Sequence, residues 1–579
     1  MQLFIHLKWF FRRYWHTYTI AMLMLFCVGL INMAIPKLIG EAIDQLLATK
    51  QQSATELYLM GLAVGGLLVY LLRYGWRRML FGTSYKLGNF LRQHFYVRLT
   101  KQGQAFYNAH STGDLMARAT NDIDAVEVAA GEGILSGFDG ILTFILVLIM
   151  MFIFIDWRLA AFAVLPFPFM AVAFYRLSKR IHTQFKDTLD RFSELNDQTQ
   201  QAMTGIRMIK SMGRERIETE QFDAIAARAA DSTYHVQRSE ALFGPIIQLS
   251  LGAAMLIVLL AGGWQIQAGN LTVGQLTSFT LYLSELIWPM FAFGWLMNII
   301  QRGNAAIERL DELLNLPDTI SNSGKQQPNG YQLTVNQLTF AYPESDRPSL
   351  QQVSFTLPEQ HTLGIAGATG SGKSTLIQLL MRYWESSDDS IRLGGVPVQQ
   401  LPLASLRGSY AYVPQDSFLF SSSILENIRM GRSDASDAEV YEAAKLAAIH
   451  HDIEQFPDGY HTLVGERGVT LSGGQRQRVS IARALISHAP ILILDDALSA
   501  VDVATEQQII GHLRQRQQSV IVISHRLSAL EQADEIMVLS HGSVVERGSH
   551  QQLSAGDGWY GRMAAYQQME QAMESSYAS

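Results

Sequence analysis

The chain has 579 residues, too many for a single hydrophobic core, so we expect at least two domains. Charged residues make up 17% of it, against about 25% in an ordinary soluble protein, and the deficit is concentrated in the first half. The formal net charge of −7 argues against a nucleic-acid-binding protein, and the single cysteine, Cys27, excludes a disulfide framework and a cysteine-based metal site.

The N-terminal stretch combines aromatic and basic residues and then becomes apolar. Residues 1–17 read MQLFIHLKWFFRRYWHT, and the apolar sequence AMLMLFCVGLINMAI follows at residue 21. A cleaved signal peptide would have a shorter apolar region followed by small residues at a cleavage site. We therefore predict an interfacial helix over residues 1–17 that leads into an uncleaved membrane span.

Six stretches are long and apolar enough to cross a bilayer, which takes about 20 residues. They lie near residues 18–38, 57–76, 134–155, 158–178, 243–265 and 276–299. So many apolar stretches in one half of the chain argue against the alternative of buried helices in a soluble protein. We predict a six-helix α transmembrane domain over residues 18–312.

The charges of the loops predict the orientation of these spans. The stretch from Arg77 to Lys101 contains six basic and no acidic residues, and residues 179–240 form a second long, charged loop. The loop at residues 41–56 is net acidic, and residues 265–274 are uncharged. Because basic loops stay on the cytoplasmic side, we place the N-terminus and both long loops in the cytoplasm. Helical spacing of their apolar residues predicts that these loops extend the spanning helices.

The pattern changes after residues 313–330, which are rich in Pro, Gly, Asn and Ser and are predicted to form a linker. Short β-rich runs then alternate with amphipathic helices. This alternation predicts an α/β P-loop domain with a mostly parallel sheet over residues 331–556. Residues 557–579 are predicted to form one more helix, a C-terminal tail to which the sequence assigns no role.

The sequence GATGSGKST begins at Gly367, after a predicted strand and before a predicted helix, and matches the P-loop pattern. Its glycines let backbone N–H groups converge on phosphate oxygens, and the helix start adds partial positive charge. We expect Lys373 to reach the β and γ phosphates and Ser374 to hold Mg²⁺. The predicted nucleotide-binding residues are Gly367, Ala368, Thr369, Gly370, Ser371, Gly372, Lys373, Ser374 and Thr375.

Two further motifs accompany the P-loop. ILILDD, at residues 491–496, reads as a buried strand that ends in carboxylates, and Asp495 is predicted to hold Mg²⁺, directly or through water. LSGGQ, at residues 471–475, opens a helix, where Ser472, Gly473, Gly474 and Gln475 offer a second anion site. Since one domain needs only one such site for its own nucleotide, we infer that the second serves a nucleotide on another domain.

Together these motifs resemble an ABC-transporter half-subunit of the exporter type, over nearly the whole length of the chain. The resemblance implies that two such subunits pair and enclose two ATP molecules, each between one P-loop and the other subunit's LSGGQ. It is closest to the multidrug-resistance-like heterodimeric exporters of enteric bacteria. The family also implies cytoplasmic coupling regions at residues 111–124 and 205–215, and a loop at residues 464–468 (VGERG) that meets the membrane domain.

The resemblance assigns roles to four further residues. Tyr342 is similar to the aromatic residue that stacks on adenine, and Gln415 to the glutamine that touches Mg²⁺ and senses the γ-phosphate. Asp502 is similar to the aspartate that communicates across the dimer. His525 is similar to the switch histidine that contacts the γ-phosphate. Taken singly, Tyr342 also fits a strand aromatic and His525 a hydrogen-bonded histidine at a strand end.

In this family a glutamate follows the Mg²⁺-binding aspartate and polarises the attacking water, but this chain has Asp496 there. One methylene fewer withdraws the carboxylate by roughly 1.5 Å, and misplacement of that size can cost about a hundredfold in rate. We therefore predict a P-loop that binds ATP well and hydrolyses it poorly, in a heterodimer whose partner carries the glutamate. The alternative is a homodimer in which the loop shifts and Asp496 catalyses.

The cargo site is the least defined by the sequence. Glu285 lies within the sixth span, near Tyr282 and Trp288, and a carboxylate among aromatic rings suits lipophilic cations. The alternative is that Glu285 lies near the outer interface and is simply hydrated. Asp139, in the third span, is interpreted as structural or water-exposed.

We therefore predict a multi-pass inner-membrane subunit that uses ATP and Mg²⁺ to export hydrophobic or drug-like substrates, with no nucleic acid among its partners. A lipid, peptide or siderophore carrier on the same scaffold is an alternative. A non-transporting, ATP-gated regulatory subunit is another, and it would bind ATP without substrate flux.

Overall fold

A computed structural model describes residues 2–48, 52–343, 345, 347–386, 389–465, 468, 470–516 and 518–578. The chain divides into two compact units. One comprises Met1–Arg98 and Thr112–Leu316, and the other comprises Leu99–Ser111 and Pro317–Ser579.

The described residues of the first unit are helical. Helix α5, which lies between them in sequence, belongs to the second unit. The helices are α1 (Gln2–His6), α2 (Lys8–Arg13), α3 (Trp15–Ala48), α4 (Gln52–Thr100), α5 (Gln104–Ala109), α6 (Thr112–Ala117), α7 (Ile123–Val128), α8 (Ile134–Ile149), α9 (Trp157–Val164), α10 (Phe167–Thr204), α11 (Ile206–Ser211), α12 (Glu215–Glu240), α13 (Phe243–Gln267), α14 (Val273–Glu285) and α15 (Ile287–Leu314). Three π-helical segments, Arg118–Asp122, Ala129–Gly133 and Met150–Ile155, interrupt the run from α6 to α9.

Among the described residues, six helical stretches are long and apolar enough to cross a membrane, which confirms the predicted six-span domain. They are Trp15–Leu47, Glu56–Thr100, Thr112–Ile155, Trp157–Thr204, Glu215–Gln267 and Val273–Leu314. All are longer than the apolar stretches inside them. The 49 residues of α4 extend over roughly 70 Å, more than twice the hydrocarbon thickness of a bilayer. The two charged loops are therefore continuations of the spanning helices.

Helices α3 and α14 pack through two glycines. A side chain on Gly40 would meet the carbonyl oxygen of Gly274 at 2.4 Å, so the backbones approach closely there. The carboxylate of Asp44 accepts hydrogen bonds from the backbone N–H of Gly274 (2.8 Å) and the hydroxyl of Thr272 (2.5 Å). These contacts fix the start of α14, which carries part of the predicted cargo site.

An ion pair joins the ends of two helical stretches farther along the first unit. Arg309, on α15, donates two hydrogen bonds to Asp122, at 2.6 and 3.0 Å. Asp122 lies in the predicted coupling region 111–124, so this region is held against the last helix of the unit.

The described residues of the second unit form ten strands in two sheets. They are β1 (Leu333–Phe340), β2 (Leu350–Leu357), β3 (Thr362–Ala366), β4 (Ile391–Leu393), β5 (Val396–Pro397), β6 (Tyr410–Val413), β7 (Ile491–Asp495), β8 (Ser519–Ile523), β9 (Glu535–Ser540) and β10 (Ser543–Gly548). An antiparallel sheet has the order β2-β1-β4-β5, and a six-stranded sheet has the order β10-β9-β3-β8-β7-β6. Only the β9–β10 pair of the larger sheet is antiparallel, which agrees with the predicted mostly parallel α/β domain.

The helices of this unit cover both faces of the larger sheet. They are α16 (Lys373–Leu380), α17 (Leu403–Gly408), α18 (Ile424–Arg429), α19 (Asp437–Leu446), α20 (His450–Glu454), α21 (Gly473–Leu485), α22 (Val503–Arg514), α23 (His550–Ser554) and α24 (Trp559–Ala578). Residues of β7 alternate between the two resulting cores. Leu492 and Leu494 enter one cluster, and Ile491 and Ile493 enter the other. Because β7 is buried on both faces, its carboxyl end is held rigidly.

Candidate nucleotide site

The predicted P-loop connects β3 to α16, and its three glycines have backbone conformations with positive φ. Gly367, Gly370 and Gly372 have φ values of +145°, +81° and +103°, which favour glycine over other residues. A side chain on Gly367 would lie 2.2 Å from the carbonyl oxygen of Leu539, on the adjacent strand β9. The loop therefore keeps its backbone N–H groups free of side-chain cover, as phosphate binding requires.

Lys373, the first residue of α16, lies across the mouth of this loop. Its ammonium donates hydrogen bonds to the carbonyl oxygens of Gly367 (2.8 Å) and Ala368 (2.9 Å). Burial lowers the pKa of Lys373, while the carboxylates of Asp495 and Asp496 act in the opposite direction. The hydrogen bonds therefore hold the ammonium in place, and the two carboxylates favour its charge against the effect of burial.

A cavity of about 640 Å³ lies in front of the P-loop. It brings together residues that the sequence separates by more than a hundred positions. Its lining includes Thr369, Gly370, Ser371, Gly372, Lys373, Ser374, Thr375, Gln415, Asp495, Asp496 and His525. The cavity therefore brings together the groups predicted to bind phosphate, the oxygen ligands predicted for a metal ion and the predicted switch histidine.

Asp495 ends β7 at the base of the cavity and is 5% exposed. Its carboxylate accepts a hydrogen bond from the hydroxyl of Tyr412 at 3.3 Å. Burial raises the pKa of Asp495, and the Tyr412 bond and Lys373 partly oppose that shift. Tyr412 was not among the predicted site residues. The strand-like run YAYV, at 410–413, is the sequence signal that could have placed it in the sheet beside the carboxylate.

Asp496 has a left-handed backbone, with φ of +49°. Its N–H donates to the carbonyl oxygen of Ile523 at 2.9 Å, and its carbonyl accepts from the hydroxyl of Ser499 at 2.8 Å. Asp and Asn tolerate this conformation better than most residues with a side chain. The position of the shortened carboxylate is thus fixed by backbone contacts on both sides.

Tyr342 packs against the helix that follows the P-loop. Its hydroxyl lies 3.0 Å from the hydroxyl of Thr375 and donates to Gln378 at 3.3 Å. Its ring meets that of Trp384 edge-on, with centroids 5.1 Å apart. Tyr342 therefore lies at the P-loop helix, although outside the lining of the cavity.

The LSGGQ segment starts α21 with a capping box. The hydroxyl of Ser472 accepts from the backbone N–H of Gln475 at 3.2 Å, and the side chain of Gln475 accepts from the N–H of Ser472 at 3.0 Å. A side chain on Gly474 would meet the carbonyl oxygen of Ala500 at 2.7 Å. Ser472 and Gly473 are exposed, and all four predicted signature residues lie outside the lining of the P-loop cavity.

Asp502 caps α22 by accepting from the backbone N–H of Thr505 at 3.0 Å, and this bond lowers the pKa of Asp502. The predicted loop at residues 464–468 is described only in part. Glu466 and Arg467 lie outside the described residues.

The three predicted cargo residues face different surroundings. Tyr282 is fully buried and donates its hydroxyl to the carbonyl oxygen of Met33. Glu285 is exposed at the end of α14. Trp288 is 47% exposed, and its indole N–H donates to Asp139 at 2.8 Å. The structure therefore separates Tyr282 from the other two and pairs Trp288 with Asp139.

Comparisons with known proteins match both units. A family model described as the ABC transporter transmembrane region matches residues 18–290, and one described as ABC transporter matches residues 350–499. The multidrug resistance-like ATP-binding protein MdlA of Escherichia coli (strain K12) is 45% identical over 582 residues, which cover 100% of this chain and 98% of that relative. The chain belongs to the ABC transporter family.

Two further comparisons agree with this assignment. The probable multidrug resistance ABC transporter ATP-binding/permease protein YheI of Bacillus subtilis (strain 168) is 40% identical over 575 residues, 98% of each chain. A solved structure of a bacterial Atm1-family ABC exporter with ATP bound is 27% identical, covers 96% of this chain and 98% of that one, and has a TM-score of 0.79.

These findings confirm the predicted exporter-type ABC transporter. It is a multi-pass inner-membrane protein with a cytoplasmic nucleotide-binding domain. That domain binds ATP, and hydrolysis of the ATP is coupled to transport.

Proposed function

We propose that this ABC transporter works as one half of a heterodimeric exporter, with a degenerate ATP site of its own. The proposal depends on Asp496, whose side chain is one methylene shorter than the glutamate usual at this position. Asp496 lines the cavity and has a left-handed backbone. A general base must come within about 2.6–3.2 Å of the proton it accepts. The aspartate holds its carboxylate back from that range, so ATP in this cavity is retained rather than turned over.

The intact signature segment supports the second half of the proposal. Ser472 and Gly473 are exposed at the start of α21, outside the chain's own cavity, and the helix start favours an anion. Ser472, Gly473, Gly474 and Gln475 then bind the phosphates of ATP on the partner subunit. Asp502, at the start of α22, lies on the segment that communicates with that partner.

The cavity also fits Mg²⁺. Ser374, Gln415 and Asp495 line it and offer a hydroxyl, an amide oxygen and a carboxylate, which are the hard oxygen ligands that this ion prefers. Among the described residues, no group of three or more His, Cys, Asp or Glu side chains converges on a metal site, so these three residues would share the ion with phosphate oxygens. Bound Mg²⁺ would neutralise phosphate charge.

The remaining residues of the site have distinct proposed roles. Lys373 binds the β and γ phosphates, and His525 contacts the γ-phosphate and distinguishes ATP from ADP. Gln415 senses the same phosphate through the Mg²⁺ ligand shell. Tyr342, beside the P-loop helix, stacks on adenine after its ring turns towards the cavity.

The proposed cargo is a hydrophobic or cationic drug-like molecule. The names of the MdlA and YheI relatives refer to multidrug resistance. Glu285 and the half-exposed ring of Trp288 offer a carboxylate and an aromatic face to such a cation. Tyr282, which is buried, supports this segment from within the helix packing.

Affinity purification of the full-length chain from its native membrane tests the heterodimer. Mass analysis of the co-purifying half-transporter should identify a different subunit with Glu after its Mg²⁺-binding aspartate. Recovery of this chain alone, as a dimer that hydrolyses ATP, would mean that Asp496 catalyses. A purified pair that binds ATP but moves no substrate into vesicles would instead support a regulatory subunit.

A further inference from the structure

Helix α24, the C-terminal tail without an assigned role, is anchored to the nucleotide-binding domain by one face. Tyr560 is fully buried and Ala564 is 7% exposed, and Gln567 follows at the next position on the same face. The carboxylate of Glu546 accepts from the first backbone N–H groups of the helix, including that of Tyr560 at 3.3 Å. The hydroxyl of Tyr560 lies 2.9 Å from His550.

From this fixed helix, Gln567 reaches the segment that carries the switch histidine. Its amide nitrogen donates to the carbonyl oxygen of His525 at 2.9 Å, and its amide oxygen accepts from the N–H of Leu527 at 3.0 Å. This segment follows β8 and belongs to no strand, so it has no sheet partner to hold it. One side chain therefore bonds the backbone on both sides of residue 526.

The other side of the same segment is also held. Arg526 donates to the carbonyl oxygens of Ser499 (2.8 Å) and Val501 (2.7 Å), and Ser528 donates to the fully buried carboxylate of Glu506 at 2.7 Å. The side chain of His525 is the one that lines the nucleotide cavity. The backbone of the switch is thus clamped between α24 and the loop that leads to α22.

We infer that Gln567 is a positioning residue for His525, so that the C-terminal helix is part of the ATP-sensing switch. The inference rests on the proposed contact between His525 and the γ-phosphate. The carboxamide of Gln567 has a donor and an acceptor on one planar group, and it uses both, one on the carbonyl of His525 and one on the N–H of Leu527. Without these two bonds, the segment from His525 to Leu527 could rotate. The imidazole would then move away from the phosphate, while the rest of the P-loop cavity would stay intact.

The test uses photolabelling of this subunit with 8-azido-ATP in the full-length complex, with Mg²⁺, and competition by ATP or ADP. The ratio of the two competition constants measures γ-phosphate sensing. Gln567→Met keeps the length of the side chain and removes both hydrogen bonds. It should lower the preference for ATP over ADP by about tenfold and leave ADP competition unchanged. Gln568→Met, at an exposed neighbouring position of the same type, is the matched control and should behave as wild type.

His525→Ala distinguishes a failure of this inference from a failure of the proposed contact between His525 and the γ-phosphate. It should lower the same ratio, and adding Gln567→Met to it should have no further effect. Gln567→Glu keeps the acceptor for Leu527 but sets a carboxylate oxygen against the carbonyl oxygen of His525, so it should lower the ratio at least as much as Gln567→Met does. A wild-type ratio in Gln567→Met, or equal weakening of ATP and ADP, together with a lowered ratio in His525→Ala, would overturn the inference alone. A wild-type ratio in His525→Ala would overturn the proposed role of His525 and the inference with it.

Discussion

The indole N–H of Trp288 donates a hydrogen bond to the carboxylate of Asp139 at 2.8 Å, and this contact joins α15 to α8 inside the transmembrane domain. The interpretation of Asp139 from the sequence, as structural or water-exposed, agrees with this pairing. An acidic side chain in a spanning helix is costly unless another group satisfies it. Here an aromatic N–H supplies that hydrogen bond.

Replacement of Trp288 by Phe should therefore weaken the transmembrane domain. The change keeps an aromatic ring and removes the donor, and interhelical hydrogen bonds in membranes contribute about 1 kcal/mol. We expect a lower unfolding temperature of the full-length protein in detergent. Trp264→Phe, at a 73% exposed position on α13, is the control and should leave that temperature unchanged. Equal shifts in both variants would contradict the prediction.

The buried carboxylate of Glu506 should make Arg526 important for stability. Glu506 is fully buried and its carboxylate lies 3.2 Å from Arg526. Arg526→Met leaves that charge without its cation, which should cost about 3 kcal/mol in the free energy of unfolding. Adding Glu506→Gln should restore the part of the loss that comes from the unpaired charge, but not the part that comes from the lost hydrogen bonds of Arg526 to Ser499 and Val501.

Lys445→Met serves as the control for that experiment, because Lys445 pairs with Glu442 on the surface of the same domain. Exposed pairs contribute at most about 1 kcal/mol. If Arg526→Met unfolds no more readily than Lys445→Met in denaturant titrations, the ion pair of Arg526 with the buried Glu506 does not stabilise the domain.

The pH dependence of stability should reveal the environment of Asp495. Because burial raises the pKa of Asp495, the folded chain favours the neutral acid. The nucleotide-free wild type should therefore lose stability relative to Asp495→Asn as the pH rises from the ordinary aspartate pKa to the raised pKa of Asp495, and the difference should be constant above it. The two should be alike below the ordinary aspartate pKa of about 3.9. Thermal unfolding across this range measures the difference, with the exposed Asp416→Asn as control. A difference that is constant over the whole pH range would refute the argument.

Asp496→Asn should leave the ATPase rate of the assembled pair within about twofold of wild type, because this site contributes little turnover in the proposed scheme. Asparagine matches the shape of aspartate and also accepts a left-handed backbone, so the fold is preserved. Asp496→Glu places a bulkier side chain at φ of +49° and should cost about 1 kcal/mol of stability. A fall of about a hundredfold in Asp496→Asn would identify Asp496 as the base.

Glu285→Gln should weaken export of lipophilic cations and spare neutral substrates, because it removes the charge and keeps the shape of the side chain. Efflux of several fluorescent cations from cells that express each variant, with a neutral dye as the internal control, measures this. Unchanged efflux of every cation would end the proposed role of Glu285.

Much of the nucleotide site could be predicted from the sequence because its contacts are local. The P-loop from Gly367 to Thr375 is one turn whose glycines and lysine occupy fixed positions in a continuous motif. Hydropathy likewise identified the six spans. It carries no information on the π-helical segments such as Ala129–Gly133, because they change the backbone pattern without changing composition.

Contacts between distant segments were not predictable in the same way. The bond from Tyr412 to Asp495 joins residues 83 positions apart, and the bonds of Gln567 reach back 42 and 40 positions. Such contacts depend on the order of strands in the sheet and on where α24 docks. The inward orientation of Tyr282 has the same origin, since periodicity indicates a face of a helix but not its neighbour.

The hydroxyl oxygen of Ser472 accepts the N–H of Gln475 in the capping box, while its own proton remains available for donation. Aspartate would cap the helix equally well, but it has no proton to donate and would repel a phosphate. Threonine would add a methyl group at an exposed position that, in the proposed scheme, approaches a phosphate closely. In the proposed scheme, one oxygen atom therefore caps α21 and binds the partner's nucleotide, so any substitution of Ser472 would be pleiotropic and would change the folding of α21 and nucleotide recognition together.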